Sequence, residues 1–175
     1  MRLAPLEIRG IAEAFVAARR EARPLGAFPV RLPDVLDDSV AVQETALRLT
    51  GERIAGWKGA MGPPHLRGPL VAERLAGPVD ATTLIRCAVG DVVDIAVYDG
   101  GFAAVEAEFV VVLGDEPRPG SEGFTAEAIR DVVAAIHAGV EVASSPLPTL
   151  NDLGPPAVVC DPGNTAGVVI GPAIE

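Results

Sequence analysis

The sequence predicts an α+β fold in which N-terminal helices pack on a β-sheet built from the rest of the chain. Two patterns lead to this. Apolar residues recur at helical spacing through the first fifty positions, whereas short β-rich runs broken by glycine and proline dominate afterwards. The 175 residues, 49% of them hydrophobic, suit a single domain with one core. Its helical portion is read as 1–52 and its strand-rich portion as 53–175.

From Leu6 to Arg23, Ile8, Ile11, Phe15 and Ala18 share one helical face, and Arg9, Glu13, Arg19, Arg20 and Glu21 occupy the rest. Pro24, Gly26, Pro29 and Pro33 then interrupt the chain. Asp37, Asp38 and Ser39 offer an N-cap for a second helix that runs to Thr50 and ends at Gly51. Arg53–Lys58 reads as extended, and Gly59–Gly68, with three glycines, two prolines and His65, as an ordered loop. Val92–Leu113 reads as a hairpin about Tyr98-Asp99-Gly100-Gly101, because Asp-Gly readily takes the positive φ angles of a tight turn. Thr125 should cap a helix carrying Ile129, Val132, Val133 and Ile136, with His137-Ala138-Gly139 ending it. Val140–Ser144 and Ala166–Ile170 are the remaining strands expected.

Charge narrows the function classes. Fourteen Lys and Arg residues face 24 Asp and Glu, a formal net charge of −10, which disfavours nucleic acid and anionic lipid as partners. The N-terminus lacks the apolar stretch of a secretory signal, and runs such as Phe109–Leu113 are too short to span a membrane. Cys87 and Cys160 show neither disulfide-framework nor thiolate-site spacing and read as core residues of a soluble, cytoplasmic protein. Lys58 is the only lysine. Arginine bias alone does not explain its survival, and a position that requires an ammonium would.

On a strand, Glu106 and Glu108 lie on one face with Cα atoms roughly 6 to 7 Å apart. Such a pair is either the solvated side of an edge strand or two ligands for a hard cation. Val110 and Val112 continue the same face, so it should turn apolar and half-buried beside the glutamates, and a divalent ion would relieve their repulsion. Glu141, inside the apolar run Val140-Glu141-Val142, is the third candidate ligand or else the partner of an arginine. Lys58 stands between Gly56 and Gly59 beside the only tryptophan, Trp57, where a ligand could approach the backbone. His65 and His137 have no spacing that compels a role. No nucleophile elbow, P-loop or dinucleotide fingerprint is present.

The order Gly51-Glu52-Arg53-Ile54-Ala55-Gly56-Trp57-Lys58-Gly59, then Glu106-Ala107-Glu108, then Gly139-Val140-Glu141-Val142 resembles the fumarylacetoacetate hydrolase superfamily. The likeness is to its 2-oxopent-4-enoate hydratase and 4-oxalocrotonate decarboxylase branch. Ala14-Phe15-Val16-Ala17-Ala18-Arg19-Arg20 and Val42-Gln43 extend it over nearly the whole chain. The resemblance implies N-terminal helices on a mixed β-sheet or roll whose C-terminal strands are missing here, so that the catalytic roll of 53–175 is incomplete and those strands come from a partner or the fold is truncated. It implies Mg²⁺ or Mn²⁺ held by Glu106, Glu108 and Glu141, Lys58 as the catalytic lysine, and a short 2-oxo acid as substrate. The reaction implied is hydration of a 2-hydroxydienoate, as in aromatic catabolism. The alternatives are decarboxylation of a related diacid or a non-catalytic structural or regulatory subunit, and the assembly implied is a homo-oligomer or a pairing with a partner subunit. Two stretches depart from the pattern: Leu66 and Arg67 stand where some hydratases carry an acidic residue, and Ala143-Ser144-Ser145 replaces a common Asp-Ser-Arg.

Overall fold

The computed structural model describes residues 1–61, 74–114 and 125–174. Helix α1, Pro5–Arg20, begins with proline at its first turn, and the Glu7 carboxylate accepts the Ala4 N–H at 2.7 Å. Its stripe of Ile11, Ala12, Phe15 and Ala18 is wholly buried. Helix α2, Leu36–Thr50, ends as expected on Gly51, whose φ of 66° permits the left-handed cap. It starts a turn earlier than the Asp37–Ser39 cap would place it. Asp38 is thereby freed to accept the Leu3 N–H at 2.7 Å and pair with Arg2 at 2.9 Å, which ties the N-terminal segment down.

Strand β1, Ile54–Met61, pairs antiparallel with β2, Arg74–Asp80, as a two-stranded ribbon. The predicted loop from Gly59 is therefore still strand as far as Met61, and its remainder, with His65, lies outside the described residues. A second, mixed sheet has the order β3-β6-β5-β4, comprising β3 (Leu84–Arg86), β4 (Phe102–Leu113), β5 (Val133–Ser145) and β6 (Thr165–Ala173). The β3–β6 pair is parallel and the others antiparallel. Sequence patterning had given no sign of β2 or β3, nor of the short helices α4 (Leu150–Leu153) and α5 (Pro155–Cys160).

The predicted hairpin forms only its turn. Gly101 N–H reaches Tyr98 C=O at 3.0 Å and Gly100 sits at φ 69°, but the residues before Tyr98 are not strand. The Ser144 hydroxyl explains this: it accepts the Tyr98 N–H at 3.1 Å and donates to the Phe102 C=O at 2.7 Å, so the chain leaving the turn is handed to β5. β4 then pairs with β5 from Phe102 opposite Ser145 to Leu113 opposite Val133.

The third helix is also shorter than its stripe suggests. Thr125 does cap it, accepting the Ala128 N–H at 3.2 Å, but α3 (Ala126–Val132) stops there and Val133–Gly139 is the start of β5. The same residues read with period two, and a strand with ladder partners on both sides outweighs a weak helical preference. The main core lies on the helical side, where Ile11, Phe15, Val42, Leu147, Leu150 and Cys160 pack together. Burial pushes the Cys160 thiol up to about 12, whereas Cys87 is half-buried and not the core residue expected. No described helix is long and apolar enough to cross a membrane.

Candidate metal centre

Register on the mixed sheet assembles the carboxylates. Glu106 stands directly opposite Glu141 across the β4–β5 ladder, so their side chains share a face, and Glu108 stands opposite Gly139. Gly139 matters because a Cβ there would come within 2.6 Å of Val110 and 2.9 Å of the Val169 carbonyl. Only glycine lets β4 and β6 close on β5 at this point. One carboxylate oxygen from each of Glu106, Glu108 and Glu141 lies within 4.8 Å of the others.

The three are not equivalent. Glu141 is buried, as its apolar flanks predicted, while Glu106 and Glu108 are exposed, and their face becomes half-buried only farther along, at Val110 and Val112. The reason is that β4 is the outer strand of its sheet, and the valines beyond it are only partly covered. The Glu108 carboxyl is nevertheless held above its ordinary value, first by partial burial and then by the charges of Glu141 and Glu106, with Lys58 opposing.

Lys58 arrives from the other sheet. Its ammonium donates to Glu141 Oε1 at 2.6 Å and to Asn164 Oδ1 at 3.1 Å. The Thr165 hydroxyl donates to the same Glu141 oxygen at 2.8 Å. The partner of Glu141 is thus this lysine rather than an arginine. Its reach depends on two glycines: a Cβ on Gly77, the β2 partner of Lys58, would lie 2.7 Å from Gly163 Cα and 3.1 Å from Lys58 Cγ. Sequence reading missed Gly77, Gly163, Asn164 and Thr165. The available signal was Pro162-Gly163-Asn164, a turn in which Gly163 at φ 71° and Asn164 at φ 56° both take the left-handed conformation those residues tolerate best. His137 is a strand contact, its Nδ1 2.8 Å from the Gly171 carbonyl.

The donor set fits a hard divalent cation. All three candidate ligands are carboxylates, and three negative charges against the one ammonium leave a formal excess of two. The cluster does not open into the cleft of about 380 Å³ that lies between the helices and the sheets; that cleft is lined by Arg19, Glu52, Asp80 and Tyr98 among others. Thr165 touches both, lining the cleft while its hydroxyl binds Glu141.

Helices set on a mixed sheet, with acidic side chains converging on one sheet face, define an α+β fold of the fumarylacetoacetate hydrolase type. No family model matches the chain, and no curated protein matches it by sequence. Among solved structures, it is similar to 4-oxalocrotonate decarboxylase from Pseudomonas putida G7 complexed with magnesium and adipate, at 17% identity and a TM-score of 0.67. It is also similar to the same enzyme complexed with calcium and acetate, at 18% identity and a TM-score of 0.66. These matches cover 98% of this chain but 65% and 64% of the decarboxylase chains, and at such identities they establish the fold.

Proposed function

We propose that this chain carries the divalent-cation site of a lyase acting on short 2-oxo acids, hydrating a 2-hydroxydienoate. The observation that supports this is the convergence of Glu106, Glu108 and Glu141 on one face, with the only lysine bonded to the buried member. Mg²⁺ or Mn²⁺ held by these carboxylates would supply Lewis acidity toward the 2-oxo group and adjoining carboxylate of the substrate. The remaining work belongs to the chain's own side chains. Asn164 and Thr165 orient Lys58 and Glu141 through the bonds described, and the Lys58 ammonium offers an anionic substrate a charge partner and a proton donor. A chain of net charge −10 needs such a local cationic point to retain an anion. Exposure of Glu106 and Glu108 leaves the site open to solvent and substrate.

A second reading is decarboxylation of a 2-oxo diacid, favoured by the fold likeness to 4-oxalocrotonate decarboxylase and by the dicarboxylate, adipate, in one of those structures. Titration calorimetry of Mg²⁺ and Mn²⁺ into the wild type and a Glu106→Ala, Glu108→Ala double variant tests the cation site. Binding by the wild type that the variant loses is expected; equal, negligible heats in both would sink it. Ultraviolet loss of 2-hydroxypenta-2,4-dienoate, set against CO₂ release from 4-oxalocrotonate, separates the two reactions. A Lys58→Ala variant as active as wild type would remove the lysine's role.

A further inference from the structure

Gln43 lies on α2 beside the core residues Val42 and Ala46, yet it is polar and only 4% exposed. Its side-chain nitrogen donates to the Ala76 carbonyl at 3.2 Å and to the Val159 carbonyl at 3.3 Å. Ala76 belongs to β2, which has no strand neighbour other than β1 among the described residues. Val159 falls in the last turn of α5, where helix carbonyls lack an intrahelical partner. One amide thus bridges two backbones that do not pair with each other.

These two backbones are the walls of the Lys58 cradle. Ala76 precedes Gly77, the ladder partner of Lys58, and Val159 lies just ahead of the Pro162-Gly163-Asn164 turn, whose Asn164 accepts from the ammonium. Where the walls meet, Gly77 and Gly163 touch through bare backbone, since a Cβ on either would lie 2.7 Å from the Cα of the other. Such a contact limits how close the walls come but has no side chain to hold them together. We infer that Gln43 holds them together and is thereby a positioning residue for Lys58, keeping its ammonium on Glu141 and Asn164.

The chemistry of the position restricts what can stand there. Both partners are acceptors, so the NH₂ end of the amide, with two hydrogens on one nitrogen, must face them. A hydroxyl has a single hydrogen, and a buried ammonium without a carboxylate beside it is costly. An apolar side chain of the same length would leave two carbonyls dry, and moving β2 away from α5 is how water would reach them. Because β1 is laddered to β2 from Ile54 to Met61, that movement carries Lys58 with it. The inference rests on the proposed function only for what Lys58 does once placed; where Lys58 sits can be measured without metal or substrate.

Since Lys58 is the only lysine, carbon-13-labelled lysine gives one side-chain signal set to follow in the metal-free chain. In the wild type its methylenes should show nuclear Overhauser contacts to the Gly77 and Gly163 α-protons, and acetylation by an N-hydroxysuccinimide ester at fixed pH should be slow at the peptide carrying Lys58. Gln43→Met is expected to lose the Gly163 contacts and to raise that acetylation rate about tenfold, the scale of one hydrogen bond to a charged group. Val42→Ala, a neighbouring core truncation on α2, is expected to lower stability while leaving both readouts as in the wild type. Should circular dichroism show Gln43→Met unfolded, Gln43→Asn, one carbon too short to span both carbonyls, supplies the same readouts. Unchanged contacts and rate in the folded Gln43 variant, or equal changes in Val42→Ala, overturn the inference. A Lys58 held as described but without any role in turnover would sink the lyase reading and leave this one standing.

Discussion

Phe15 and Phe109 are the same residue in two regions that fold by different means. Phe15 lies wholly buried where α1 packs on α2 and the short helices, with its ring 5.9 Å from that of Phe28 in an edge-on contact. Phe109 stands on the outer strand of the mixed sheet, 78% exposed. The helical side buries its apolar groups within the chain, while the far end of the sheet relies on backbone pairing and leaves Val105 and Phe109 exposed. The core that stabilises the chain therefore belongs to its helical side.

The sharpest way to break that comparison is to truncate both rings. Phe15→Ala removes a core aromatic and should cost about 3–5 kcal/mol. Phe109→Ala removes a ring already in water and should change the isolated monomer by less than about 0.5 kcal/mol. Urea unfolding at submicromolar concentration measures both. Losses of similar size would mean that the sheet end contributes to the monomer's core after all.

How far the two regions could be read from the sequence follows the same division. The first two helices were legible because Ile11, Phe15, Ala18 and Gly51 each act through local rules of spacing and capping. The sheet was less legible because its partners are distant. Nothing near Val133 says that it will face Leu113, and nothing near Tyr98 says that Ser144 will intercept the turn. Glu106, Glu108, Glu141 and Lys58 were found from their order along the chain, and the fold brings all four together. Asn164 and Thr165 were missed because they acquire meaning only once Gly77 and Gly163 let the ribbon approach β6.

A second prediction tests whether the helical side is also anchored by charge. Arg19 on α1 pairs with the fully buried Asp161 at 2.5 Å, donates to the Ser144 and Thr165 carbonyls, and stacks its guanidinium 5.6 Å from the Tyr98 ring centre. Arg19 bonds Asp161 Oδ1, and the buried Oδ2 has no hydrogen-bond partner among the described residues. Arg19→Ala would leave a buried carboxylate uncompensated and should cost about 3 kcal/mol. It should also loosen the start of β6, read as faster amide exchange at Ala166 and Gly167. A variant as stable as wild type would show that packing alone holds α1 to the sheet.

The smallest effect expected is one of sign. The Glu7 carboxyl is lowered from its ordinary value of 4.5 by the Ala4 N–H and by Arg31, so its contribution is present above about that pH and is lost as pH falls through its folded value. Glu108, at the sheet end, is raised by partial burial and by the charges of Glu141 and Glu106. Its folded form holds the proton more tightly than the unfolded chain does. It therefore favours folding below pH 4.5, and that contribution disappears as pH rises through its raised value. Mild acidification should accordingly weaken the α1 terminus while relieving repulsion among the carboxylates of the sheet. Carbon-detected NMR titration of the two side chains in a chelator measures both shifts directly. Glu7→Gln should flatten the acid limb of the stability curve, and Glu108→Gln should remove an opposing slope. Shifts of the same sign at both carboxyls would erase the electrostatic half of the comparison, since the carboxylate cluster would then no longer be a site of unrelieved negative charge.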